Sequence, residues 1–368
     1  MPIPLDEFPI HQAPLSLAHT VSSDRNTYDR CYLNAHDRTG EVFAITGLGV
    51  YPNLGVIDAY LGVRAGDRQV TVRASDGLGT DRLRQEVGPF RLDVLDPLHE
   101  LRLVVDAAEH GVEADLRWRG SFPAVLEEPH LFRQDAKVIL DAQRFAQVGT
   151  WEGSLRVDDQ SWELGHDRWV GTRDRSWGIR PVGEPEPPGR TASESGQDYG
   201  FWWTYVPLRF DGFAVLLIAQ EDGEGYRTLN DAVRVWPDGR REQLGWPRFD
   251  IHYRPGTREA TGATITAVAG DGTPLTLEVE SLGFIALHTG LGYGGDPDWN
   301  HGRWLGRGAV ERAEFDYATA EAAARVPWGV CDHVGRATLD GEEGWGLFEH
   351  MSIGRHTPSG FADFGSVA

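Results

Sequence analysis

The chain has 368 residues, of which 40% are hydrophobic, and its formal net charge is −21. This length suits two domains of ordinary size or one large all-β unit. A strongly acidic surface repels nucleic acids and anionic lipid headgroups, so neither is expected as a partner. The sequence lacks a run of roughly 18 apolar residues, so a membrane span is not expected.

The cysteine content and the first residues bear on the cellular compartment. Cys31 and Cys331 lie far apart and match neither a disulfide framework nor a zinc-binding spacing. The N-terminal sequence MPIPLDEFPIHQAP lacks the basic start and the apolar core of a secretory signal. Together these observations favour a cytoplasmic protein.

The first half of the chain alternates apolar and polar residues with the period of two that is typical of β-strands. The predicted strands, which form an early hairpin, a meander and a second hairpin, are 58–63, 69–72, 90–94, 100–105, 112–118, 149–157 and 161–170. One segment in this half, 134–147, is predicted to be helical.

A long loop then separates the first strands from a second set. Residues 182–198 are rich in Pro and Gly and almost free of apolar side chains, which is typical of a lid-like loop. The strands predicted after it are 199–206, 213–219, 232–236, 249–253, 263–268, 275–279 and 344–353, with a helix at 318–325. Two such sets predict two β-barrels or packed sandwiches, with domains at 1–165 and 166–368.

The segment 166–181, HDRWVGTRDRSWGIRP, is the first candidate for chemistry. It places Asp174 between Arg173 and Arg175 in a strand-like run, with Trp177 close by. Side chains alternate along a strand, so Asp174 is predicted on a small, mostly neutral face, opposite both arginines and Trp177. A carboxyl group in such a place is a candidate acid or base whose pKa is set by a cavity. The alternative is an Asp–Arg ion pair that holds strands together.

The aromatic run 199–205, YGFWWTY, is the second candidate. Trp203 and Tyr205 are predicted on one face of a strand, and Trp202 on the other. Aromatic walls suit an apolar ligand and stabilise a cation that lies against a ring. The alternative is a domain core or interface built of rings.

The glycine-rich segment 288–304, HTGLGYGGDPDWNHGRW, is the third candidate. It could close over a pocket and bring His288, Tyr293, Trp299 or His301 to a substrate. Its His and Asp spacing matches no known metal-binding signature, so no metal site is predicted. It also lacks the register and the βαβ context of a dinucleotide-binding motif.

The residues from Asp174 to Gly178 read DRSWG, which matches the Asp-x-x-Trp-Gly signature of the carotenoid 1,2-hydratases. The chain therefore resembles their two-barrel, lipocalin-like family, whose relatives include lipocalin-like cyclases. The stretch around the motif is richer in Arg than the hydratase pattern. The resemblance implies an all-β fold of two lipocalin-like antiparallel β-barrel domains packed together, with few short helices.

The resemblance also implies cofactor-free chemistry on a hydrophobic, often isoprenoid, substrate at or near the barrel junction. Asp174 would protonate an alkene so that water adds, or would dehydrate a tertiary alcohol by the reverse steps, with Tyr293 or His301 as polar partner. The residues that we expect to bind the substrate are Arg173, Trp177, Trp202, Trp203, Tyr205, His288 and Trp299. We therefore expect a hydro-lyase that acts as a monomer or homodimer. The alternatives are a lipocalin-like cyclase of the Diels–Alderase type and a non-enzymatic carrier of an apolar ligand.

Overall fold

A computed structural model describes residues 2–134, 137–186, 199–294 and 296–368. Almost all regular structure in these residues is β, arranged in two antiparallel sheets, which confirms the predicted all-β class. Among the described residues, no helix is long and apolar enough to cross a membrane.

The first sheet contains nearly all strands of the first half of the chain. Its strands are β1 (Thr27–His36), β2 (Val42–Tyr51), β3 (Val56–Ala65), β4 (Arg68–Gly77), β5 (Glu86–Val87), β6 (Phe90–Asp96), β7 (Glu100–Ala107), β8 (Val112–Gly120), β9 (Val125–Leu126), β10 (His130–Gln134), β11 (Lys137–Val157), β12 (Gln160–Leu164), β13 (Val170–Ile179) and, from later in the chain, β21 (Ala309–Asp316). Their order is β21-β4-β3-β2-β1-β13-β11-β8-β7-β6-β5, and β9, β10 and β12 also pair with β11.

The second sheet contains the remaining strands. They are β14 (Gly200–Arg209), β15 (Ala214–Asp222), β16 (Arg227–Val235), β17 (Arg241–Gln243), β18 (Arg248–Tyr253), β19 (Ala260–Val268), β20 (Pro274–Ala286), β22 (Cys331–Leu339) and β23 (Glu342–Gly354), in the order β17-β16-β15-β14-β23-β22-β20-β19-β18. The helical elements within the described ranges are α1 (Ala320–Arg325) and four 3-10 turns at Pro4–Glu7, Ala108–His110, Val326–Trp328 and Thr357–Ser359.

Each sheet curls around an apolar core of its own, and a third apolar cluster lies between the two sheets. The third cluster combines Tyr32 and Phe43 of the first sheet with Trp203, Tyr205 and Ile218 of the second. The strand β21 adds a further link, because it pairs with β4 along its whole length, from Ala309 opposite Ser75 to Asp316 opposite Arg68. The candidate site lies within the inter-sheet cluster.

The prediction of a helix at 134–147 is wrong, whereas the prediction of a helix at 318–325 is confirmed. Residues 137–147 belong to β11, which pairs with β13 over ten positions from Asp141 to Thr150, so non-local pairing overrides the local pattern. The confirmed helix, α1, is capped by Thr319, whose side chain accepts a hydrogen bond from the backbone N–H of Ala322.

The division into domains at residue 165 stays a prediction. The chain leaves the first sheet after Ile179 and enters the second at Gly200. Of the lid-like loop at 182–198, residues 187–198 lie outside the described part of the chain. Val182 at its start is buried, and its carbonyl oxygen accepts a hydrogen bond of 2.9 Å from Nη1 of Arg25.

Candidate functional site

The strand β13 presents Asp174 toward the second sheet. Asp174 and Ser176 line a cavity between the sheets, whereas Arg173 and Trp177 line a different cavity inside the first sheet. This is the alternation that the sequence predicts for a strand. Tyr32 of β1 and Ala146 of β11 lie directly opposite Asp174 on either side, so one neighbour is a large polar ring and the other is a methyl group.

The cavity between the sheets has a volume of about 180 Å³. The first sheet contributes mainly polar side chains to its wall: Tyr28, Arg30, Tyr32, Arg144, Asp174 and Ser176. The second sheet contributes Phe201, Trp203, Ile218, Glu349 and Met351. The cavity therefore has one charged wall and one largely aromatic and apolar wall, which suits a substrate with both a polar and an apolar part.

The carboxyl group of Asp174 has no hydrogen bond and no ion pair with any other part of the described chain. Neither neighbouring arginine reaches it: Nε of Arg173 donates to Oε1 of Gln147 at 2.8 Å, and Nη1 of Arg175 donates to Oδ1 of Asp29 at 2.8 Å. Burial raises the pKa of Asp174 above its usual value, and the positive charges of Arg144 and Arg30 only partly oppose this effect. Asp174 is thus a carboxyl group biased toward its neutral form and free to contact a substrate.

Arg144 forms a buried ion pair with Glu127 at the edge of the cavity. Nε of Arg144 donates to Oε2 of Glu127, and the guanidinium carbon lies 4.1 Å from the centroid of the Tyr205 ring. Burial raises the pKa of Glu127 to about 7, although the charge of Arg144 acts in the opposite direction. The pair therefore stands beside Asp174 as a second site at which a proton can be held.

Two further arginines, Arg30 and Arg180, face the cavity without a carboxylate partner within 4.0 Å among the described residues. The guanidinium carbon of Arg30 lies 4.8 Å from the centroid of the Tyr293 ring, and that of Arg180 lies 5.6 Å from the Tyr28 ring. Burial lowers the pKa of Arg180, and the nearby charge of Arg30 lowers it further. This end of the cavity therefore presents positive charge and tyrosine hydroxyl groups.

A pair of carboxyl groups, Asp332 and Glu349, lies opposite this wall on neighbouring strands of the second sheet. The hydroxyl group of Tyr32 donates a hydrogen bond to Oδ2 of Asp332, and Nε1 of Trp203 donates one to Oε1 of Glu349. Burial raises the pKa of Asp332 well above its usual range, and the adjacent Glu349 raises it further. Both effects favour the neutral form of Asp332.

We expect Tyr32→Phe to lower the free energy of unfolding by about 1–3 kcal/mol, because it removes a donor from a fully buried acceptor. The hydroxyl group also accepts a hydrogen bond of 3.0 Å from Nδ2 of Asn34, which would lose this acceptor and keep the one at 2.8 Å, Oγ1 of Thr172. Urea unfolding of the two proteins measures the difference. Tyr226→Phe is the control, since Tyr226 is 71% exposed, and an equally small effect of both variants would contradict the prediction.

His130 forms part of the aromatic wall. Its ring stacks on that of Trp203 with a centroid separation of 5.4 Å and an interplanar angle of 17°. Burial lowers the pKa of His130 to about 4, so the ring is neutral at pH 7. Its Nε2 is hydrogen-bonded to Oε1 of Gln220, which fixes the ring against the indole.

Tyr293 lines the cavity, and His301 lies behind it. The hydroxyl groups of Tyr293 and Tyr60 are 3.2 Å apart, and burial raises the pKa of Tyr293 to about 12. The His301 ring is 4.8 Å from the rings of both Tyr293 and Trp299, and neither of its nitrogens has a hydrogen-bond partner among the described residues. Burial lowers the pKa of His301 well below its usual value. The geometry therefore makes His301 a support for Tyr293.

Asp58, behind His301, should make stability depend on pH. Its Oδ1 lies 4.0 Å from Nδ1 of His301, and burial raises the pKa of Asp58 from 3.8 to about 7. Between these two values the folded chain keeps a proton that the unfolded chain releases, so stability falls as pH rises, by about 1.4 kcal/mol per pH unit. Asp58→Asn cannot titrate and so removes this pH-dependent loss. The difference in free energy of unfolding, Asp58→Asn minus wild type, should therefore increase from pH 4 to pH 7.

Urea unfolding of wild type and Asp58→Asn at several pH values measures this difference. The comparison cancels the contributions of the buried histidines, whose lowered pKa values act in the opposite direction over part of the range. A difference between the two proteins that does not change with pH would contradict the prediction.

The remaining predicted residues lie in three places. Trp203 lines the cavity, and Tyr205 contacts Arg144 at its edge. Trp202 faces the interior of the second sheet, where it stacks on His356, and Trp299 and His288 lie behind the cavity wall. Arg173 and Trp177 line the cavity inside the first sheet. A direct contact with a substrate beside Asp174 is therefore open to Tyr293, Trp203 and Tyr205.

Several residues of the site were missed from the sequence: Arg30, Tyr32, Glu127, Arg144 and Arg180. One signal was present, because Arg30 and Tyr32 alternate with apolar residues in a strand that is buried almost throughout. Charged side chains within such a strand have to be paired or functional.

Within the part of the chain that the structure describes, no group of three or more His, Cys, Asp or Glu side chains has the arrangement of a metal site. Asp332 and Glu349 are paired with each other and with hydrogen-bond donors. The charged and titratable groups around Asp174 include carboxyl, guanidinium and tyrosine hydroxyl groups.

The sequence matches the profile of one protein family over residues 3–362, which is nearly the whole chain. The chain belongs to the family of unknown function DUF8625. A search of curated proteins found no significant match.

Several solved structures are similar in fold to this chain. The chain is similar to a protein of Nitrosomonas europaea provisionally named AttH, with a TM-score of 0.53, 12% identity, and coverage of 92% of this chain and 98% of that one. It is also similar to kievitone hydratase from Nectria haematococca (TM-score 0.49, 11% identity, 88% of each chain). A third structure, CghA with Sch210972, has a TM-score of 0.49 and 12% identity, with 89% of this chain and 88% of that one covered.

The predicted fold of two lipocalin-like antiparallel β-domains is confirmed. At 12% identity the likeness to the Nitrosomonas protein shows the fold alone. The TM-scores of 0.49 are too low for kievitone hydratase or CghA to inform the activity of this chain. The specific resemblance to carotenoid 1,2-hydratases stays a prediction.

Proposed function

We propose that the protein is a cofactor-independent hydro-lyase that hydrates an alkene, or dehydrates a tertiary alcohol, of a hydrophobic isoprenoid substrate. The observation that carries the proposal is the state of Asp174, a carboxyl group in a cavity between the sheets that has a raised pKa and no hydrogen-bond or ion-pair partner among the described residues. Such a group can give a proton to a substrate without first breaking a hydrogen bond.

The reaction needs one proton donor and one water molecule. Protonated Asp174 transfers its proton to an alkene carbon, which leaves a tertiary carbocation and the Asp174 carboxylate. Water adds to the cation, and the proton that this water releases returns to Asp174. Dehydration follows the same steps in reverse, so a single carboxyl group closes the cycle in both directions.

The aromatic wall can stabilise the cation, because ring faces attract positive charge. Phe201 and Trp203 lie on this wall, and Trp203 also donates to Glu349, whose acceptor oxygen lies near the indole edge. The positive charges of Arg30 and Arg180 would oppose a cation, so the reacting carbon belongs at the Trp203 end of the cavity. The arginines then bind an oxygen-containing group of the substrate at the other end.

The cavity size limits which part of a substrate it can enclose. Small-molecule sites usually measure about 300–1,000 Å³, whereas this cavity measures about 180 Å³. It can therefore hold a short substrate or the reacting end of a longer one. Acyclic monoterpene alcohols and alkenes are suitable test compounds because they are short and carry a reactive double bond or a tertiary hydroxyl group.

The proposal is tested by incubating the purified, chelator-treated protein with these compounds and analysing the products by gas chromatography. We expect interconversion of an alkene and its alcohol, with a rate that falls as pH rises through the pKa of Asp174, because the acid must be protonated. No turnover of any compound, combined with quenching of tryptophan fluorescence by the same ligands, would contradict the proposal and indicate a carrier or a cyclase.

A further inference from the structure

A second, larger cavity lies inside the curl of the first sheet. It has a volume of about 980 Å³ and is lined by Arg173 and Trp177, on the face of β13 opposite the side chain of Asp174. The two cavities lie on either side of β13 and share three lining residues, Tyr28, Ala142 and Asp174. This volume is at the upper end of the range of about 300–1,000 Å³ for small-molecule sites, so it is large enough for a long-chain ligand.

The wall of this cavity is mainly apolar. It includes Cys31, Leu33, Leu48, Val50, Leu92 and Leu101, which come from β1, β2, β6 and β7. Protein interiors are normally packed as densely as organic crystals, and unfilled apolar space destabilises a fold. A space of this size within an apolar wall therefore indicates a site that a ligand fills.

The N-terminal segment forms one side of the cavity, through Leu5, Ile10 and Leu17. Asp6 holds this segment in place by accepting hydrogen bonds from the backbone N–H of Leu17 at 2.8 Å and from the Ile3 backbone at 2.7 Å. The carbonyl oxygen of Ala18 accepts a hydrogen bond from Arg82. The segment is thus tied to itself and to the first domain, and it belongs to the cavity wall.

Arg173 is the unusual group in this wall. Arg173 is only 7% exposed. Its Nε donates a hydrogen bond to Gln147, but neither of its terminal nitrogens has a hydrogen-bond partner in the described residues. Burial and, to a lesser extent, the charge of Arg175 lower the pKa of Arg173 to about 10. Among the described residues, no carboxylate lies within ion-pair distance of Arg173 to offset the lost hydration. A buried guanidinium without a counter-ion is costly, and its planar donors match a carboxylate.

Arg175, in the same wall, differs from Arg173 because it has a carboxylate partner. It is paired with Asp29 at 2.8 Å and also donates to Gln85, so its charge is already balanced. Arg82 also lines the cavity without an ion pair among the described residues, but it is less buried than Arg173 and donates to the carbonyl oxygen of Ala18. The cavity therefore offers a deeply buried, unpaired guanidinium group at Arg173 together with a long apolar surface. A ligand that satisfies both features carries one negative charge at the end of an apolar chain.

We propose that this cavity is a second ligand site that binds a long-chain monocarboxylic acid, with the carboxylate at Arg173 and the chain against the apolar wall. The proposal does not depend on the hydro-lyase activity, because Arg173 and the apolar wall take no part in the proton transfer at Asp174. It gives the first domain a binding role that is separate from the chemistry at Asp174.

Titration of the full chain with cis-parinaric acid, an 18-carbon fluorescent fatty acid, tests the proposal. We expect saturable binding that palmitic acid displaces. Arg173→Met should weaken binding of the acid at least tenfold, which corresponds to about 1.4 kcal/mol, and should leave displacement by hexadecanol unchanged. Arg117→Met is the matched control, because Arg117 lies on the outer surface and pairs with Glu100.

Two further variants locate the probe. Leu48→Trp places a larger side chain in the empty volume and should abolish binding of the acid and of the alcohol. Glu349→Gln changes a residue that lines only the cavity between the sheets, and it should bind the acid as tightly as wild type. The proposal is overturned by an absence of saturable binding, by binding that survives Leu48→Trp, or by loss of binding in Glu349→Gln. It is also overturned if Arg173→Met weakens binding of the acid and binding of the alcohol equally. Circular dichroism of each variant establishes that it has folded.

Discussion

Asp174→Asn should lower the turnover of an alkene or tertiary alcohol by about 10²–10⁴-fold, which is the usual contribution of a general acid. The variant keeps the shape of the side chain but cannot release a proton at accessible pH. The free energy of unfolding should stay close to that of wild type, since Asp174 forms no hydrogen bond or ion pair with the described chain. Product formation measured by gas chromatography and urea unfolding give the two quantities.

The matched control for this variant is Asp159→Asn, which makes the same chemical change in an exposed turn. It should leave both turnover and stability unchanged. Turnover in Asp174→Asn above about a tenth of the wild-type rate would show that another group donates the proton. A variant that unfolds would instead show that Asp174 has a structural role, as in the ion-pair alternative.

Arg144→Met should cause the largest loss of stability in the molecule's interior, about 3–5 kcal/mol, because it leaves Glu127 buried without its partner. Glu127 is 6% exposed, and its remaining oxygen, Oε1, already lacks a hydrogen-bond partner in the described chain. The double variant Arg144→Met/Glu127→Gln should recover most of the loss, because both charges are then removed. Urea unfolding of the single and double variants gives the coupling free energy.

The double variant also separates stability from chemistry. If Arg144 matters only for folding, the double variant should turn over substrate at nearly the wild-type rate. If the Arg144–Glu127 pair also influences Asp174, turnover should show a shifted pH dependence, because the charge of Arg144 lowers the pKa of Asp174. A double variant no more stable than Arg144→Met would contradict the account of the buried pair.

The strand patterns were predictable because side chains alternate along a strand whatever its partner is. This rule placed Asp174 and Trp177 on opposite faces of β13, and Trp202 and Trp203 on opposite faces of β14, as the structure has them. It could not show that these two faces meet, since strand pairing is non-local. Tyr32 and Asp174 lie directly opposite each other although 142 positions separate them in the chain.

The site residues on β11 and β23 could not be placed from the sequence for the same reason, because strand pairing is non-local. Arg144 lies in a segment whose local composition favoured a helix, so its place beside Asp174 was hidden until β11 was paired with β13. Glu349 reaches the cavity only because β23 lies next to β14 in the second sheet. For His301, sequence proximity to Tyr293 predicted a shared role, but the turn of the chain places it behind the tyrosine ring.

The measurement that tests the central claim most directly is hydration of a reactive alkene in D₂O, with mass spectrometry of the alcohol formed by wild type, Asp174→Asn and Glu349→Gln. Asp174 exchanges its proton with solvent, so the wild-type product should carry one deuterium on the carbon that was protonated. Glu349→Gln should form the same labelled product more slowly, and Asp174→Asn should form it about 10²–10⁴-fold more slowly than wild type. Labelled product from Asp174→Asn at the wild-type rate would show that Asp174 is not the acid.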